Sequence, residues 1–397
     1  MTEHIKTPEL RFSNFLDMWH IHKLSDVATI TGGGTPSTKV SEYWDGEIDW
    51  YTPNEIGERI YARGSKKKIT NLGYKKSSTK LLPINTILFT SRAGIGNTAI
   101  LAKEGCTNQG FQSIIPNSEK IDSYFIYTIS NHIKKYALKH AAGSTFLEIS
   151  GKELGKMKLF LPSLKEQQKI GVFFSKLDRQ IELEEEKLEL LEQQKRGYMQ
   201  KFFSQELRFK TKDNVYYSEW QLYKLGEIFK YSQGQQISVD KQFSVKNNGM
   251  KRFIRIVDIT ENPEPRFVLY ESDTGLVNKG DLFMIRYGRP GIVSIGFEGI
   301  IANNLFKLIP KIKISTIYFY YLLSYNYYRI NLLTNQSTMP ALNFKSLDLL
   351  KFKIPSYKEQ NKIANFLESI DKLVMKQSDK VKLLKQRKKG LLQKMFV

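Results

Sequence analysis

KLFLPSLKEQQKIGVFFSKLDRQIELEEEKLELLEQQKRGYMQKFFS, residues 158–204, returns without a gap as KFKIPSYKEQNKIANFLESIDKLVMKQSDKVKLLKQRKKGLLQKMFV, residues 351–397. Each copy opens on Pro162 or Pro355 and then Ser163 or Ser356, with Glu166 or Glu359 three residues further on. That spacing is a capping box, in which hydroxyl and carboxylate satisfy the free amides of a helix start. Apolar residues then recur in steps of four and three: Ile170, Phe174, Leu177, Ile181, Leu188, Leu191, Tyr198 and Phe202, matched by Ile363, Leu367, Ile370, Val374, Val381, Leu384, Leu391 and Met395. A mean period of about 3.5 is a coiled-coil seam. Even its polar interruptions coincide, Glu184 with Gln377 and Lys195 with Lys388. About forty helical residues make a rod of roughly 60 Å.

Two helices with the same seam and polar flanks most economically pack on each other. The first copy has an acidic middle (Glu182, Glu184, Glu185, Glu186) where the second has Lys372, Lys376, Lys380 and Lys382. Antiparallel pairing brings those middles together. The same seam could instead join two chains, an alternative the sequence leaves open.

The duplication continues outside the helices. Glu9-Leu10-Arg11-Phe12 recurs as Glu206-Leu207-Arg208-Phe209, Trp19 with Lys23-Leu24 as Trp220 with Lys224-Leu225, and Ser144-Thr145 before Lys152 as Ser337-Thr338 before Lys345. Such self-similarity makes the chain two tandem halves, each a globular segment followed by a long helix. The boundaries are residues 1–157 and 205–350 for the globular segments, and 158–204 and 351–397 for the spacer helices. In the first segment a helical turn around Leu24 and Val27 precedes strand-like runs at Ile48–Tyr51, Ile84–Thr90, Thr98–Leu101 and Phe111–Ile115, then a helix over Tyr124–His140. In the second, strands are expected at Phe253–Val257, Asp281–Arg286, Ile292–Ile295 and Leu305–Ile309, and a helix over Ile317–Leu333. The fold class is α+β: two globular domains of mixed strands and helices, separated by two long helices packed as an antiparallel coiled coil.

Composition narrows the partners. A chain of 397 residues with net charge +21 calls for an acidic partner, and nucleic acid is the first candidate. Residues 163–204 and 356–397 account for +7 of that charge, so the globular parts are basic as well. No apolar run approaches the roughly 20 residues that span a bilayer, and MTEHIKTPEL lacks the apolar core of a signal peptide. With Cys106 the only cysteine, no internal disulfide or thiolate cluster forms, and a cytoplasmic location follows.

Catalytic and cofactor motifs are missing. Gly32-Gly33-Gly34-Thr35-Pro36 lacks the Gly-Lys-Ser/Thr ending of a phosphate-cradling loop. Gly94-Ile95-Gly96 reads as a turn, and Asn262-Pro263-Glu264-Pro265 has no stacking aromatic of the kind base-methylating enzymes use. His20 and His22 share one face of a strand without a third ligand, so no metal site is expected. Glu186-Lys187 resembles the end of a nuclease motif but falls in the coil. The expectation is a binding protein with no cofactor, and its rivals are an enzyme with an unrecognised site or a coiled-coil adaptor for RNA or a membrane.

Binding chemistry is better represented. Polar loops donate and accept at base edges and phosphates; arginine forks onto guanine, while asparagine and glutamine pair with adenine. The candidates are Thr31, Gly33, Thr35, Ser91, Arg92, Asn108, Gln109, Ser144 and Thr145 in the first half. In the second they are Gln233, Gln235, Arg286, Tyr287, Arg289, Asn303, Asn304, Ser337 and Thr338. Lys67, between Lys66 and Lys68, suits a sequence-independent phosphate contact.

With its paired Pro-Ser-x-Lys-Glu-Gln-x-Lys-Ile openings, its Gln-x-Lys/Arg-x-Gly endings at Gln193–Gly197 and Gln386–Gly390, and a start to each segment of Trp, three residues and Lys-Leu, the chain resembles the specificity subunits of type I restriction-modification systems. The resemblance covers essentially all of it. It implies two target-recognition domains, each reading half of a bipartite site in double-stranded DNA. It further implies a spacer on which two modification subunits dock, binding S-adenosylmethionine and methylating adenine, and which restriction subunits with translocase and nuclease activity join.

Overall fold

The computed structural model describes residues 5–92, 94–143, 147–261, 263–270, 272–334 and 340–396. The chain forms two compact units, Met1–Glu185 with Asp379–Val397, and Glu186–Ser378. That division falls inside both long helices, Leu164–Phe203 and Tyr357–Met395.

In the first unit a central sheet orders its strands Ala28–Gly32, Gln112–Pro116, Ile87–Phe89, Thr98–Leu101 and Tyr61–Ala62. A second sheet places Trp44–Tyr51 between Lys67–Ile69 and Gly105–Thr107, the last pair being parallel. The strand Trp19–Lys23 pairs with Lys158–Leu161 at the root of the first long helix. Period-two alternation fixes this register, because Leu159 and Leu161 go inward while Lys158 stays in water. Ile87–Phe89 is buried throughout and packs with Phe125, Ile126 and Ile133 of the helices Ser123–Thr128 and Ser130–His140.

The second unit repeats the plan. Its central sheet runs Phe229–Gln233, Leu305–Pro310, Leu282–Ile285, Val293–Ser294, and its second sheet again contains a parallel pair, Met250–Ile254 with Gly299–Ile301. Gln221–Lys224 pairs with Lys351–Ile354, the counterpart of the first root. Two expectations need correction. The helices expected over Tyr124–His140 and Ile317–Leu333 each break in two, at Ile129 and at Asn326. Val257 lies in a helical turn, Ile256–Thr260, because Asp258 accepts from the backbone N–H of Arg255 and starts a new element there.

Within each unit a stretch of one long helix packs antiparallel on a stretch of the other. In the first, Glu184 meets Lys380 and Asp178 meets Lys388, both at 2.5 Å, so rising numbers oppose falling ones. In the second, Lys195 meets Asp371 at 2.5 Å while Tyr198 packs edge-on to Phe366, ring centres 4.9 Å apart. Of the seam positions, Ile170, Phe174, Ile181, Phe202, Ile363, Leu367, Ile370, Val381 and Met395 are buried, and Leu177, Leu188, Leu191, Val374, Leu384 and Leu391 are half-buried. Tyr198 is exposed and Met199 takes the inward place.

The capping-box reading is also corrected. Glu166 and Glu359 do not turn back onto the helix start; they are buried and held by arginines of the repeated Glu-Leu-Arg-Phe segment. Arg11 forks onto Glu166 with both bonds at 2.7 Å, and Arg208 onto Glu359 at 3.2 and 3.0 Å. Among the described residues the buried Ser356 hydroxyl finds no hydrogen-bond partner. Gln167 and Gln360 complete the joint, each donating to the carbonyl of its preceding proline and accepting the N–H of Asp122 or Ser315. Closeness is required here: a Cβ on Gly171 would lie 2.6 Å from Asp122 Oδ1. Further along, Tyr124 donates to Asp178 at 2.9 Å and Tyr321 to Asp371 at 2.5 Å. Burial first, and the neighbouring carboxylate next, push both phenol pKa values upward and keep them donors.

Candidate nucleic-acid interface

Sheet topology gathers the candidate loops. In the first unit Gly32, at the end of its strand, lies opposite Gln112 at the start of the next, and Thr90, just past Phe89, bridges to Phe111. The segments after residues 32 and 89 and before 112 therefore leave one end of one sheet. Gly33 and Gly34 make that crossing possible. The N–H of Gly34 donates to the carbonyl of Thr107 at 2.9 Å, and a Cβ on Gly33 would sit 2.2 Å from the carbonyls of Thr107 and Asn108. On the resulting edge Thr35 donates to Gln109 at 2.5 Å, and Lys80 donates to the Thr31 hydroxyl at 2.7 Å.

The second unit builds the same edge from different side chains. Gln233 lies opposite Phe306, and Arg286 follows the strand Leu282–Ile285. The N–H of Gly234 donates to Leu305 at 2.9 Å, with space for a Cβ closed by the Ala302 carbonyl at 2.1 Å. Asn303 donates to Gln236 at 3.4 Å, Gln233 donates to the Asn303 carbonyl, and Arg286 donates to Gln233 at 2.7 Å. The Arg286 guanidinium also lies over Phe344 at 4.4 Å and Tyr287 at 4.9 Å. Strand register makes Gln109 the counterpart of Asn303, since Gln112 and Phe306 oppose equivalent residues. The contacts Thr35 to Gln109 and Asn303 to Gln236 are thus one contact in two chemistries.

The candidates differ in what they can still offer. Gln109, Thr35, Asn303, Arg289 and Lys67 are exposed, and Lys67 lies 5.6 Å over the Trp44 ring. Asn108, Gln233, Gln235, Arg286, Tyr287 and Asn304 are half-buried. Asn108 turns inward to accept from the N–H of Gly110 at 2.8 Å. Arg92 forms an ion pair with Glu148 at 2.8 Å. Ser91 is fully buried and Thr31 nearly so, which removes them from a contact surface. Ser144, Thr145, Ser337 and Thr338 lie outside the described residues.

Sequence reasoning missed Gln242, Arg255 and Arg266. With Gln236, Asn303 and Asn304 they line a recess of about 660 Å³ floored by Phe253 and Ile256. Arg255 is held by Asp258 at 2.8 Å, and the buried Asn304 amide oxygen there has no hydrogen-bond partner among the described residues. The basic run Lys251-Arg252-Phe253-Ile254-Arg255 was the available signal. Among the described residues no three His, Cys, Asp or Glu side chains converge as metal ligands, and no helix is long and apolar enough to cross a membrane. Burial pushes the Cys106 thiol up to about 11.

A twice-built polar edge on a twice-built joint agrees with the comparison to known proteins. The profile for the type I restriction modification DNA specificity domain matches twice, over residues 17–193 and 217–383. The chain belongs to that family. Among relatives in the type I family, the MjaIX specificity subunit of Methanocaldococcus jannaschii is 36% identical over 227 residues, an alignment covering 54% of this chain and 52% of that protein. The chain thus spans about half the length of that relative. The putative MjaX specificity subunit of the same organism is 26% identical over 417 residues, covering 94% and 91%. The crystal structure of the type I S subunit from M. genitalium shares the fold, with a TM-score of 0.64 at 17% identity and 99% of each chain covered.

Proposed function

We propose that this chain is the DNA-specificity subunit of a type I restriction-modification complex. Each globular segment, residues 1–157 and 205–350, reads one half of a bipartite duplex target, and the helices 158–204 and 351–397 set the spacing between them. The observation that carries this reading is the repeated sheet-end edge, with Thr35 and Gln109 in one half and Gln236 and Asn303 in the other. Same framework and different donors suit two half-sites of different sequence.

Two readers on one face of B-DNA want centres near one turn, roughly 34 Å apart. Methylating a base within a duplex requires flipping it into a catalytic pocket. Modification subunits that bind S-adenosylmethionine and dock on the paired helices supply that pocket, and restriction subunits join them. The chain itself performs no catalysis, and the complex works in the cytoplasm.

The test is an exchange. Replacing residues 220–350 with the corresponding segment of a relative, then mapping methylated adenines in the host genome, is expected to change one half-site and leave the other. Changes in both halves, or in neither, refute the reading. Incubating the purified chain with DNA and magnesium separates the enzyme alternative, since cleavage by the chain alone supports that alternative and refutes a non-catalytic specificity subunit.

A further inference from the structure

We infer that a lysine-lined cleft in the first unit, outside the reading edge, grips the phosphodiester backbone of the duplex, an inference that rests on the DNA-binding reading above. The cleft, about 620 Å³, lies between the helix Ser130–His140 and the last turns of the second long helix. Lys134 and Lys135 line one side, Lys385, Lys388 and Lys389 the other. Two of the five are neutralised, Lys385 by Glu185 and Lys388 by Asp178, both at 2.5 Å. Among the described residues Lys134, Lys135 and Lys389 meet no carboxylate, so three like charges share one concavity and favour an anion between them.

Position and chemistry select the backbone. The Lys134 stem packs against Gly96, where a Cβ would come within 2.3 Å of it, and Gly96 follows the candidate Arg92 by four residues. At its other end the same helix leads into Ala142, paired with Glu148, which holds Arg92. The cleft therefore continues the reading edge. Its cations are lysines, point charges that suit a phosphate without forking onto a base. Leu138, Leu392 and Phe396 give it an apolar wall against which deoxyribose can pack. In the second half the helix position of Lys385 is held by Glu192, and the short helix Tyr327–Asn331 begins Tyr-Tyr where the first has lysines. The second half thus lacks lysines at the positions of Lys134, Lys135 and Lys385.

The experiment measures affinity for a duplex lacking the target, as a function of salt, for the full chain. Each phosphate contact contributes about 0.9 to the slope of log K against log salt. The triple variant Lys134→Gln, Lys135→Gln, Lys389→Gln is expected to lower that slope by about 2 to 3. A control with the same charge loss, Lys372→Gln, Lys376→Gln, Lys382→Gln, is expected to change it by less than about 1. Melting curves check that both variants fold. An unchanged slope in the cleft variant overturns the inference, and so does an equal fall in the control. If the unaltered chain shows no binding to any duplex, the DNA-binding reading fails first and the cleft with it.

Discussion

The joints where the long helices begin and the edges where the sheets end have diverged at different rates within one molecule. At the joints the two halves share the same three contacts, arginine forked onto a buried glutamate, glutamine between a proline carbonyl and a helix cap, and tyrosine on aspartate on lysine, although the Trp220 indole also donates to Glu359. At the edges only the backbone path and the squeezed glycine persist, while the side chains change. The difference teaches which parts answer to the fold and which to the ligand. A buried charge tolerates little change because removing its partner leaves it unsatisfied, whereas an exposed amide can be exchanged with little effect on stability.

The largest expected effect tests whether the joints are equivalent. Arg11→Ala strands Glu166, 1% exposed, and is expected to destabilise its unit by about 3–5 kcal/mol in chemical denaturation. Arg208→Ala leaves Glu359, 0% exposed, with the Trp220 indole N–H at 3.2 Å and is expected to cost about 3 kcal/mol. A cost below about 1 kcal/mol for either would break the equivalence. Next comes a place where the halves should separate. Asp178 is 5% exposed and Asp371 27%, so Lys388→Met is expected to cost about 3 kcal/mol and Lys195→Met about 1. Equal costs would show that burial does not set the difference.

At the edges the measurement is specificity, read by competition between target duplexes altered in one half-site at a time. Gln109→Ala and Asn303→Ala are each expected to relax preference in a different half-site by about 1–3 kcal/mol, with melting temperatures little changed. Loss at the same half-site from both would contradict the division of labour. The smallest effect concerns Cys106, whose thiol is pushed by burial to about 11. Because the fold favours the neutral thiol, its contribution to stability is complete below the unfolded pKa of about 8.5 and lost as pH rises toward 11. Alkylation near pH 8 is therefore expected to be slow in the native chain and fast in denaturant; rapid native labelling would contradict this.

Much of the architecture was legible because it rests on periodicity. The 3.5-residue seam predicted the helices, with pairing on each other as the expected packing, and the repeat predicted two halves. The candidate loops were chosen for composition, and the sheets do bring many of them to one edge. What composition missed, it missed for physical reasons. Ser91 looks like any polar loop residue, but its strand end is covered by the segment bearing Ile149, whose N–H donates to the Ser91 carbonyl. Arg92 looks free until Glu148 reaches it. Glu166 and Glu359 have capping-box spacing, yet a guanidinium over 150 residues away in sequence offers two charge-assisted bonds, which outcompete weaker bonds to backbone amides.

Taken alone, the sequence determined what is local or periodic: two long helices that carry the same seam, a duplicated plan and a basic surface. Those follow from short-range geometry, which residue spacing encodes directly. Only the tertiary structure decided that Gln109 corresponds to Asn303, that the repeated glutamates are arginine partners, and that three lysines with no carboxylate partner among the described residues share a cleft. Strand register, burial and charge pairing depend on segments far apart in the chain, and no local pattern carries that information.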